Sequence, residues 1–214
     1  MSASSPPRIG VCDYGVGNLR SVERAIEHGG GHAVISADAG ELVECDGLVL
    51  PGVGAFAVAA QALHSRGLDA AIRAVAGSGR PLLGVCLGFQ LLFSDSDEGD
   101  GEAGLDLLSG RVRRLHPPLG KVPHMGWNRL RLARPSSLLA GVDDGAHAYF
   151  VHSYAATPDD AACVVALTDH GGEVVAAVEA GNIAGTQFHP EKSGAAGLRV
   201  YANFVSRCTA PVRA

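Results

Sequence analysis

The chain has little of what several common functions depend on. Only two of its 214 residues are lysines, and 17 Lys and Arg stand against 22 Asp and Glu, for a formal net charge of −5. This mild acidity argues against nucleic acid as the main partner. No apolar run approaches the ~20 residues that a membrane-spanning helix needs, so we expect no membrane partner.

Paired cysteines are also lacking. The five cysteines are scattered along the chain, and none stands in C-x-x-C spacing. An odd number of dispersed thiols disfavours both a disulfide framework and a structural zinc site. We therefore expect a reducing, cytoplasmic location and no metal.

The chain length suits one sizeable domain rather than two. The opening "MSASSPPR" lacks the basic and apolar regions of a signal peptide. We predict a disordered lead-in over residues 1–7, a single domain over residues 8–209 and a tail over residues 210–214.

Strand and helix patterns alternate in the first half. "RIGVCDYG" reads as a strand, "NLRSVERAIEHGG" as a helix with Asn18 at its cap, and "PLLGVC" as a strand followed by the helix "LGFQLLF". Strands spaced by helices predict a central, mostly parallel α/β sheet with helices on both faces.

The second half contains short strand patterns joined by turn residues, among them "GRVRRL", "AYFVHSYAA" and "EVVAAVEAGN". These patterns predict an antiparallel or mixed extension of the sheet. A last helix is expected from near Ser193. The acidic stretch "SDSDEGDGEAG" is interpreted as a solvated loop.

One cysteine stands between two glycines. Gly84-Val85-Cys86-Leu87-Gly88 follows a predicted strand and has the G-x-nucleophile-x-G form of a nucleophile elbow. Such a turn strains the nucleophile's backbone and leaves no room for side chains two residues away. A buried core thiol is the alternative, but the paired glycines favour a nucleophile.

A thiol nucleophile needs a base, and "HPE" at residues 189–191 offers one. Glu191 can orient one imidazole nitrogen of His189 while the other faces the thiol. Alone, this motif is more typical of a surface turn. It indicates a catalytic base only because the same chain also contains the nucleophile elbow at Cys86.

Two glycine pairs follow predicted strands. Backbone amides around Gly52 and Gly54 in "LPGVGAF" can form an oxyanion hole, although an ordinary Gly-rich turn is the simpler alternative. In "DYGVGN", Arg20 stands where a dinucleotide fingerprint requires a third glycine. We therefore expect no dinucleotide cofactor.

The motifs "PGVGAF", "GVCLGFQ" and "FHPEKS", in this order, resemble the triad (class I) glutamine amidotransferases, which have a flavodoxin-like fold. Among these enzymes, the glutaminase subunits of imidazole glycerol phosphate synthase are the family that this chain resembles most specifically. The motifs that carry this narrower resemblance are "DYGVGNLRSV", "KVPHMGWN" and "YFVHSY". The resemblance covers the chain from about Ile9 to the final helix.

The resemblance implies that Cys86 is the nucleophile, His189 the base and acid, and Glu191 its orienting partner. It implies hydrolysis of L-glutamine through a cysteinyl thioester, without a metal or organic cofactor. The glutamine and oxyanion site would comprise Gly52, Val53, Gly54, Leu87, Gln90, Ser153 and Tyr154. A peptide flip near Val53, between two glycines, is a plausible switch of the oxyanion hole.

The resemblance also implies a heterodimer with a (β/α)₈ cyclase subunit. That subunit would use the ammonia to make imidazole glycerol phosphate and aminoimidazole carboxamide ribotide in histidine biosynthesis. Trp127 as a core residue is the alternative to a contact role. The expected interface residues are Asn18, Arg20, Pro123, Met125, Trp127, Tyr149 and Lys192.

Three other functions stay open at this point. The chain can be a triad glutaminase that serves a different synthase, or a regulatory module that has lost catalysis. It can also be a relative of cysteine peptidases or deglycases, which share the elbow. "PHMGWN" argues against the first and third, and the intact triad positions argue against the second.

Overall fold

The computed structural model describes residues 5–99, 101–116 and 121–209. The predicted tail and residues 1–4 lie outside these ranges, so the domain boundaries stay predictions. Pro7 is buried, and its carbonyl accepts a hydrogen bond from the His32 amide at 2.9 Å. In the described residues, no helix combines the length and apolar character needed to cross a membrane.

Strands and helices alternate as far as β4 and strands dominate after it. The helices are α1 Leu19–His28, α2 Ala39–Val43, α3 Phe56–Ser65, α4 Leu68–Gly77, α5 Leu87–Gln90 and α6 Gly194–Cys208. The strands are β1 Arg8–Cys12, β2 His32–Ser36, β3 Gly47–Leu50, β4 Leu82–Val85, β5 Phe93–Ser96, β6 Leu108–Arg114, β7 His124–Arg129, β8 Arg131–Leu132, β9 His147–His152, β10 Tyr154–Pro158, β11 Val164–Asp169, β12 Glu173–Ala180 and β13 Ile183–Thr186.

The main sheet has eight strands in the order β2-β1-β3-β4-β13-β12-β11-β8. Pairing is parallel from β2 to β13 and antiparallel from β13 to β8, which confirms the predicted parallel sheet with an antiparallel extension. Helices α1 and α6 pack on one face, and α2, α3 and α4 pack on the other. Strands β3 and β4 are buried at every residue because helices cover both sides of them.

Not every strand of the second half extends the main sheet. Strands β10, β6 and β5 form a separate three-stranded sheet, and among the strands of the described ranges β7 pairs with β9 alone. The expected single extended sheet is wrong in this respect. Sequence patterns show which segments are strands, but their pairing depends on contacts between distant residues.

The segment after the elbow also differs from expectation. The helix predicted over "LGFQLLF" ends at Gln90, and β5 begins at Phe93. The carbonyls of Leu91 and Leu92 accept hydrogen bonds from the amides of Leu105 and Leu108, at 2.7 and 2.9 Å, and this pairing replaces the helix. The acidic stretch is therefore a strand in its first three residues and not wholly a loop.

Topology brings three chain segments to one edge of the sheet. Parallel strands β3, β4 and β13 are adjacent, and each ends at the same edge. Gly52 follows β3, Cys86 follows β4 and His189 follows β13. Open α/β sheets bind ligands outside the carboxyl ends of their strands, so this edge is the place for a site.

Candidate active site

Cys86 occupies a strained turn between β4 and α5. Its φ is 54° and its ψ is −108°, a combination that L-residues rarely adopt. The Cys86 amide donates to the Thr186 carbonyl at 2.8 Å, which anchors the turn to β13. The side chain is 5% exposed, so the thiol is largely shielded from bulk water.

The two glycines beside Cys86 are required by close backbone approach. A Cβ atom on Gly88 would lie 1.8 Å from the Leu50 carbonyl oxygen, and one on Gly84 would lie 2.7 Å from the Gly88 carbonyl oxygen. Real Cβ atoms essentially never come that close to backbone atoms. The elbow therefore forms only because neither position carries a side chain.

His189 and Glu191 form a buried pair behind the thiol. Nδ1 of His189 lies 2.7 Å from Oε1 of Glu191, and both side chains are 2% exposed. Burial lowers the pKa of His189, but interactions with the Cys86 thiol and the Glu191 carboxylate outweigh it and raise that pKa to about 10. Nε2 is buried and has no hydrogen-bond partner among the described residues, so it remains free for chemistry at the thiol.

Ser193, the last residue of "FHPEKS", holds the base in place, a role that the motif alone does not indicate. Its hydroxyl donates to the His189 carbonyl at 2.6 Å and accepts from the Tyr149 amide at 3.0 Å. The Tyr149 carbonyl accepts from the His189 amide at 3.0 Å. The short turn after β13 is thereby tied to β9.

A cavity of about 390 Å³ opens beside the thiol. A larger cavity of about 490 Å³ lies along α3 and α4, and neither Cys86 nor His189 lines it. The cavity beside the thiol contains most of the residues assigned to the glutamine site, and it adds Glu98, Val151 and His152. Its predicted lining residues are Val53, Gly54, Cys86, Leu87, Gln90, Ser153 and Tyr154, joined by Pro123 from the expected interface.

Gly52 lies just behind this lining. A Cβ atom there would lie 2.4 Å from the Tyr14 hydroxyl oxygen and 3.0 Å from the Gly88 amide nitrogen. The Tyr14 hydroxyl donates to the Pro51 carbonyl at 2.7 Å and so braces the same loop. Close packing against the elbow accounts for glycine at position 52, independently of any role in binding an oxyanion.

Gln90 makes contacts that the motif did not reveal. Its amide nitrogen donates to the Tyr154 carbonyl at 2.8 Å and to Oε1 of Gln187 at 3.0 Å. Nε2 of Gln187 in turn lies 3.9 Å from the Cys86 sulfur. Both amide protons of Gln90 are therefore used within the protein, and its oxygen is left to accept from a ligand.

Glu98 comes from the acidic stretch that was interpreted as solvated. Its Oε2 accepts a hydrogen bond from the Phe56 amide at 2.8 Å, at the start of α3. The N-cap residue of this helix, Ala55, has no capping side chain, and Glu98 fills that role from a distant segment. A carboxylate is thus fixed at the rim of the cavity.

The residues expected at a partner interface lie largely on the surface. Met125 is 63% exposed and Trp127 57% exposed, so the alternative of Trp127 as a core residue is wrong. The Trp127 and Tyr149 rings lie 6.1 Å apart, and Nζ of Lys192 lies 5.8 Å from the centre of the Tyr149 ring. These four residues form one patch, named here the β7–β9 patch.

Asn18, Arg20 and Pro123 are also exposed. Asn18 stands at the N-cap of α1 as predicted, but its side chain makes no capping hydrogen bond and stays available. Arg20 pairs with Glu23 at 2.9 Å. Helix α1 packs against the turn that carries Lys192, which brings this region towards the β7–β9 patch.

Across residues 5–99, 101–116 and 121–209, no group of three or more His, Cys, Asp or Glu is placed to hold a metal ion. The arrangement instead supports acyl transfer at the Cys86 sulfur. It supplies a strained nucleophile, an oriented imidazole, and the first amides of α5, which have no intrahelical acceptor.

Comparison with known proteins identifies the family of this chain. The model of the family "Glutamine amidotransferase class-I" matches residues 11–208. Imidazole glycerol phosphate synthase subunit HisH of Moorella thermoacetica is 51% identical over 197 residues, covering 92% of this chain and 93% of that protein. The HisH subunit of Halobacterium salinarum is 52% identical over 206 residues, covering 92% of each.

Solved structures agree at the level of the fold. PurLQS from Thermotoga maritima has a TM-score of 0.72 at 21% identity and covers 94% of this chain and 98% of that one. The glutaminase domain of Trypanosoma brucei CTPS, with bound acivicin, has a TM-score of 0.69 at 22% identity and covers 94% and 93%. Because the family model spans nearly the whole chain and half of its residues match curated subunits, the chain belongs to the class I glutamine amidotransferases and, among these, to the HisH subunits of imidazole glycerol phosphate synthase.

Proposed function

We propose that this chain hydrolyses L-glutamine to L-glutamate and ammonia as the glutaminase subunit of an imidazole glycerol phosphate synthase, in histidine biosynthesis. The observation that carries the proposal is the strained Cys86 turn, which faces a buried His189–Glu191 pair and opens into a cavity. Relatives that are 51% and 52% identical to this chain are named as subunits of that synthase.

The geometry supports a two-step reaction. The Cys86 thiolate attacks the side-chain amide carbon of glutamine, and the amides of Val53 and Leu87 stabilise the oxyanion. Protonated His189 donates its proton to the leaving nitrogen, the C–N bond breaks, and ammonia departs. His189 then takes a proton from water, the hydroxide attacks the thioester carbon, and the C–S bond breaks to release glutamate.

A protonated His189 suits the first step. With a pKa of about 10, the imidazole holds its proton at neutral pH and is a cation beside the sulfur. A protonated imidazole can act as the general acid that protonates the nitrogen leaving the glutamine amide. Glu191 keeps the proton-bearing Nδ1 side fixed, so Nε2 is the atom that serves the reaction.

Glutamine recognition draws on the polar end of the cavity. The oxygen of Gln90 and the carboxylate of Glu98 are acceptors suited to an α-ammonium group. The backbone of Ser153 and Tyr154 lies in the same wall. A flip of the peptide near Val53 would complete the oxyanion site, and Gly54 beside it has a φ of +105° that glycine adopts freely.

The partner proposed for the β7–β9 patch is a (β/α)₈ cyclase subunit, in a heterodimer through which ammonia passes. An exposed Trp and Met in one patch are typical of protein interfaces, where aromatic anchors carry much of the binding energy. We also place the chain in the cytoplasm, since its five cysteines are all unpaired.

The test is glutamate release measured with and without the cyclase subunit and its nucleotide ligand. We expect release by the wild-type complex and none by the Cys86→Ala complex. Activity that survives Cys86→Ala would remove the nucleophile assignment. No activity in the wild-type complex would favour a regulatory module, and failure to bind the cyclase would favour a glutaminase of another synthase.

A further inference from the structure

A run of hydrogen bonds outside the triad connects β7 to the wall of the cavity. Nδ2 of Asn128 lies 3.1 Å from Nε2 of His124, and Nδ1 of His124 lies 2.9 Å from Nε2 of His152. Nδ1 of His152 lies 2.8 Å from the Tyr154 carbonyl oxygen. Strand register brings the two histidines together, because His124 stands opposite His152 in the β7–β9 pair.

The end groups determine the direction of every bond in this run. The Tyr154 carbonyl only accepts, so His152 must carry its proton on Nδ1 and, when neutral, accept at Nε2. His124 must then donate from Nδ1 and accept at Nε2. Asn128 can supply that donor, because its oxygen already accepts from the Arg129 amide and its nitrogen also donates to the Asp169 carbonyl.

The surroundings keep both histidines neutral. The His124 ring is sandwiched between Phe150 and His170, with ring centres 4.6 and 4.1 Å away. Burial, assisted by His170, lowers the pKa of His124 to about 4, and burial also lowers the pKa of His152 to about 3. A proton added to either ring would place two donors against each other and break the run.

The run ends on a carbonyl that already belongs to the glutamine site. The Tyr154 oxygen also accepts from Gln90, whose second proton goes to Gln187, and Gln187 lies 3.9 Å from the Cys86 sulfur. Two donors at 2.8 Å saturate both lone pairs of this carbonyl and fix its direction. The Ser153–Tyr154 backbone and the Gln90 oxygen therefore depend on the His152 donor for their placement.

We propose that Asn128, His124 and His152 act as positioning residues for glutamine binding, as a neutral, one-directional hydrogen-bond chain that fixes the Tyr154 carbonyl and, through it, Gln90. This role rests on the proposed glutaminase function. The hydrogen-bond chain starts on β7, and the other side of β7 exposes Met125 and Trp127. The same strand therefore contributes to both the β7–β9 patch and the glutamine pocket.

Steady-state glutamate release by the cyclase complex tests the role. His152→Phe keeps a ring but removes the donor, and we expect the KM for glutamine to rise about tenfold with a smaller change in kcat, as for a lost buried hydrogen bond. His152→Asn places an amide nitrogen near the former Nδ1 and should recover most of the loss. His32→Phe, at an exposed histidine at the start of β2, is the matched control and should leave the KM unchanged.

A second measurement reads the tautomers in the wild-type protein itself and uses variants only to assign the signals. Nitrogen-15 NMR of wild-type imidazoles should show two neutral rings with the proton on Nδ1, the tautomer that free imidazole side chains populate less. Assignment of these signals comes from their loss in His124→Phe and His152→Asn. A charged ring near neutral pH, or a proton on Nε2 of either ring, would contradict the proposed hydrogen-bond chain.

The kinetic outcomes separate the two proposals. An unchanged KM in His152→Phe, or a loss confined to kcat, would overturn the positioning role while the wild-type complex stays active. No glutamate release by the wild-type complex would overturn the proposed function, and the tautomer measurement would still decide whether the chain exists.

Discussion

Substitution of Gly88 by alanine tests the elbow most directly. The new methyl group would lie 1.8 Å from the Leu50 carbonyl oxygen and 2.7 Å from the Leu50 carbonyl carbon. Ordinary contacts at such a position begin at 3.4 Å. No rotamer change relieves the clash, because both partners are backbone, so α5 and the end of β3 must move apart.

The size of the effect follows from this geometry. Overpacking a well-packed interior costs typically 1–3 kcal/mol, and a clash between two backbone segments belongs at the upper end, about 3 kcal/mol. For a domain of this length, that corresponds to a fall in Tm of about 6–12 °C. Because Cys86 moves with α5, a displacement near 1 Å should lower kcat/KM about 100-fold.

The assays are thermal unfolding of the free subunit and glutamate release by its cyclase complex. Gly77→Ala is the matched control, since a Cβ atom there meets nothing within 4 Å and Gly77 lies at the exposed end of α4. It should raise stability by about 0.4–1 kcal/mol and leave activity unchanged. A Tm for Gly88→Ala within about 2 °C of wild type, with full activity, would refute the close-approach argument.

Three further predictions concern the triad and the patch. Cys86→Ala and Cys86→Gly should both be inactive. The glycine variant should unfold at the higher temperature, because alanine retains the backbone strain of about 1–3 kcal/mol at this turn. A higher unfolding temperature for the alanine variant would contradict the presence of strain. The pKa of His189 is higher in the folded protein than in the unfolded chain, so protonation of His189 stabilises the fold. This contribution to the free energy of unfolding is complete below pH 6.5 and is lost towards pH 10. Urea midpoints should therefore fall over this pH range, and they should fall less in Glu191→Gln. Trp127→Ala should weaken cyclase affinity by about 2 kcal/mol in titration calorimetry with little change in Tm; unchanged affinity and turnover would remove the contact role.

The parts of this molecule that could be predicted from the sequence depend on short stretches of chain. The elbow at Cys86 is one turn long, and its glycines stand two residues to either side. The same holds for the two-residue turn between β12 and β13, where Gly181 has a φ of 58°. In these places the residue types at adjacent positions determine the backbone, so pattern reasoning is sufficient.

The parts that were missed depend on distant segments. Glu98 reaches the cavity from a segment 42 residues beyond the helix start that it caps, and Gln187 contacts Gln90 across 97 residues. The length of α5 was overestimated because the backbone of residues 105–108 competes for its next carbonyls. Local propensity contains no information on which distant segment will compete, so such errors arise wherever sheets form between remote strands.

The "PHMGWN" window illustrates both cases at once. Alternate residues of a strand point to opposite faces, so β7 directs Met125 and Trp127 outwards and His124 and Asn128 towards the pocket wall. The resemblance to known subunits indicated the outward pair, whereas the inward pair becomes meaningful only when β9 places His152 opposite His124. A β-strand cannot shift by one residue without exchanging its two faces, so a change in register at the partner surface would also remove the donor to the Tyr154 carbonyl. The patch and the glutamine pocket are therefore constrained together by one strand.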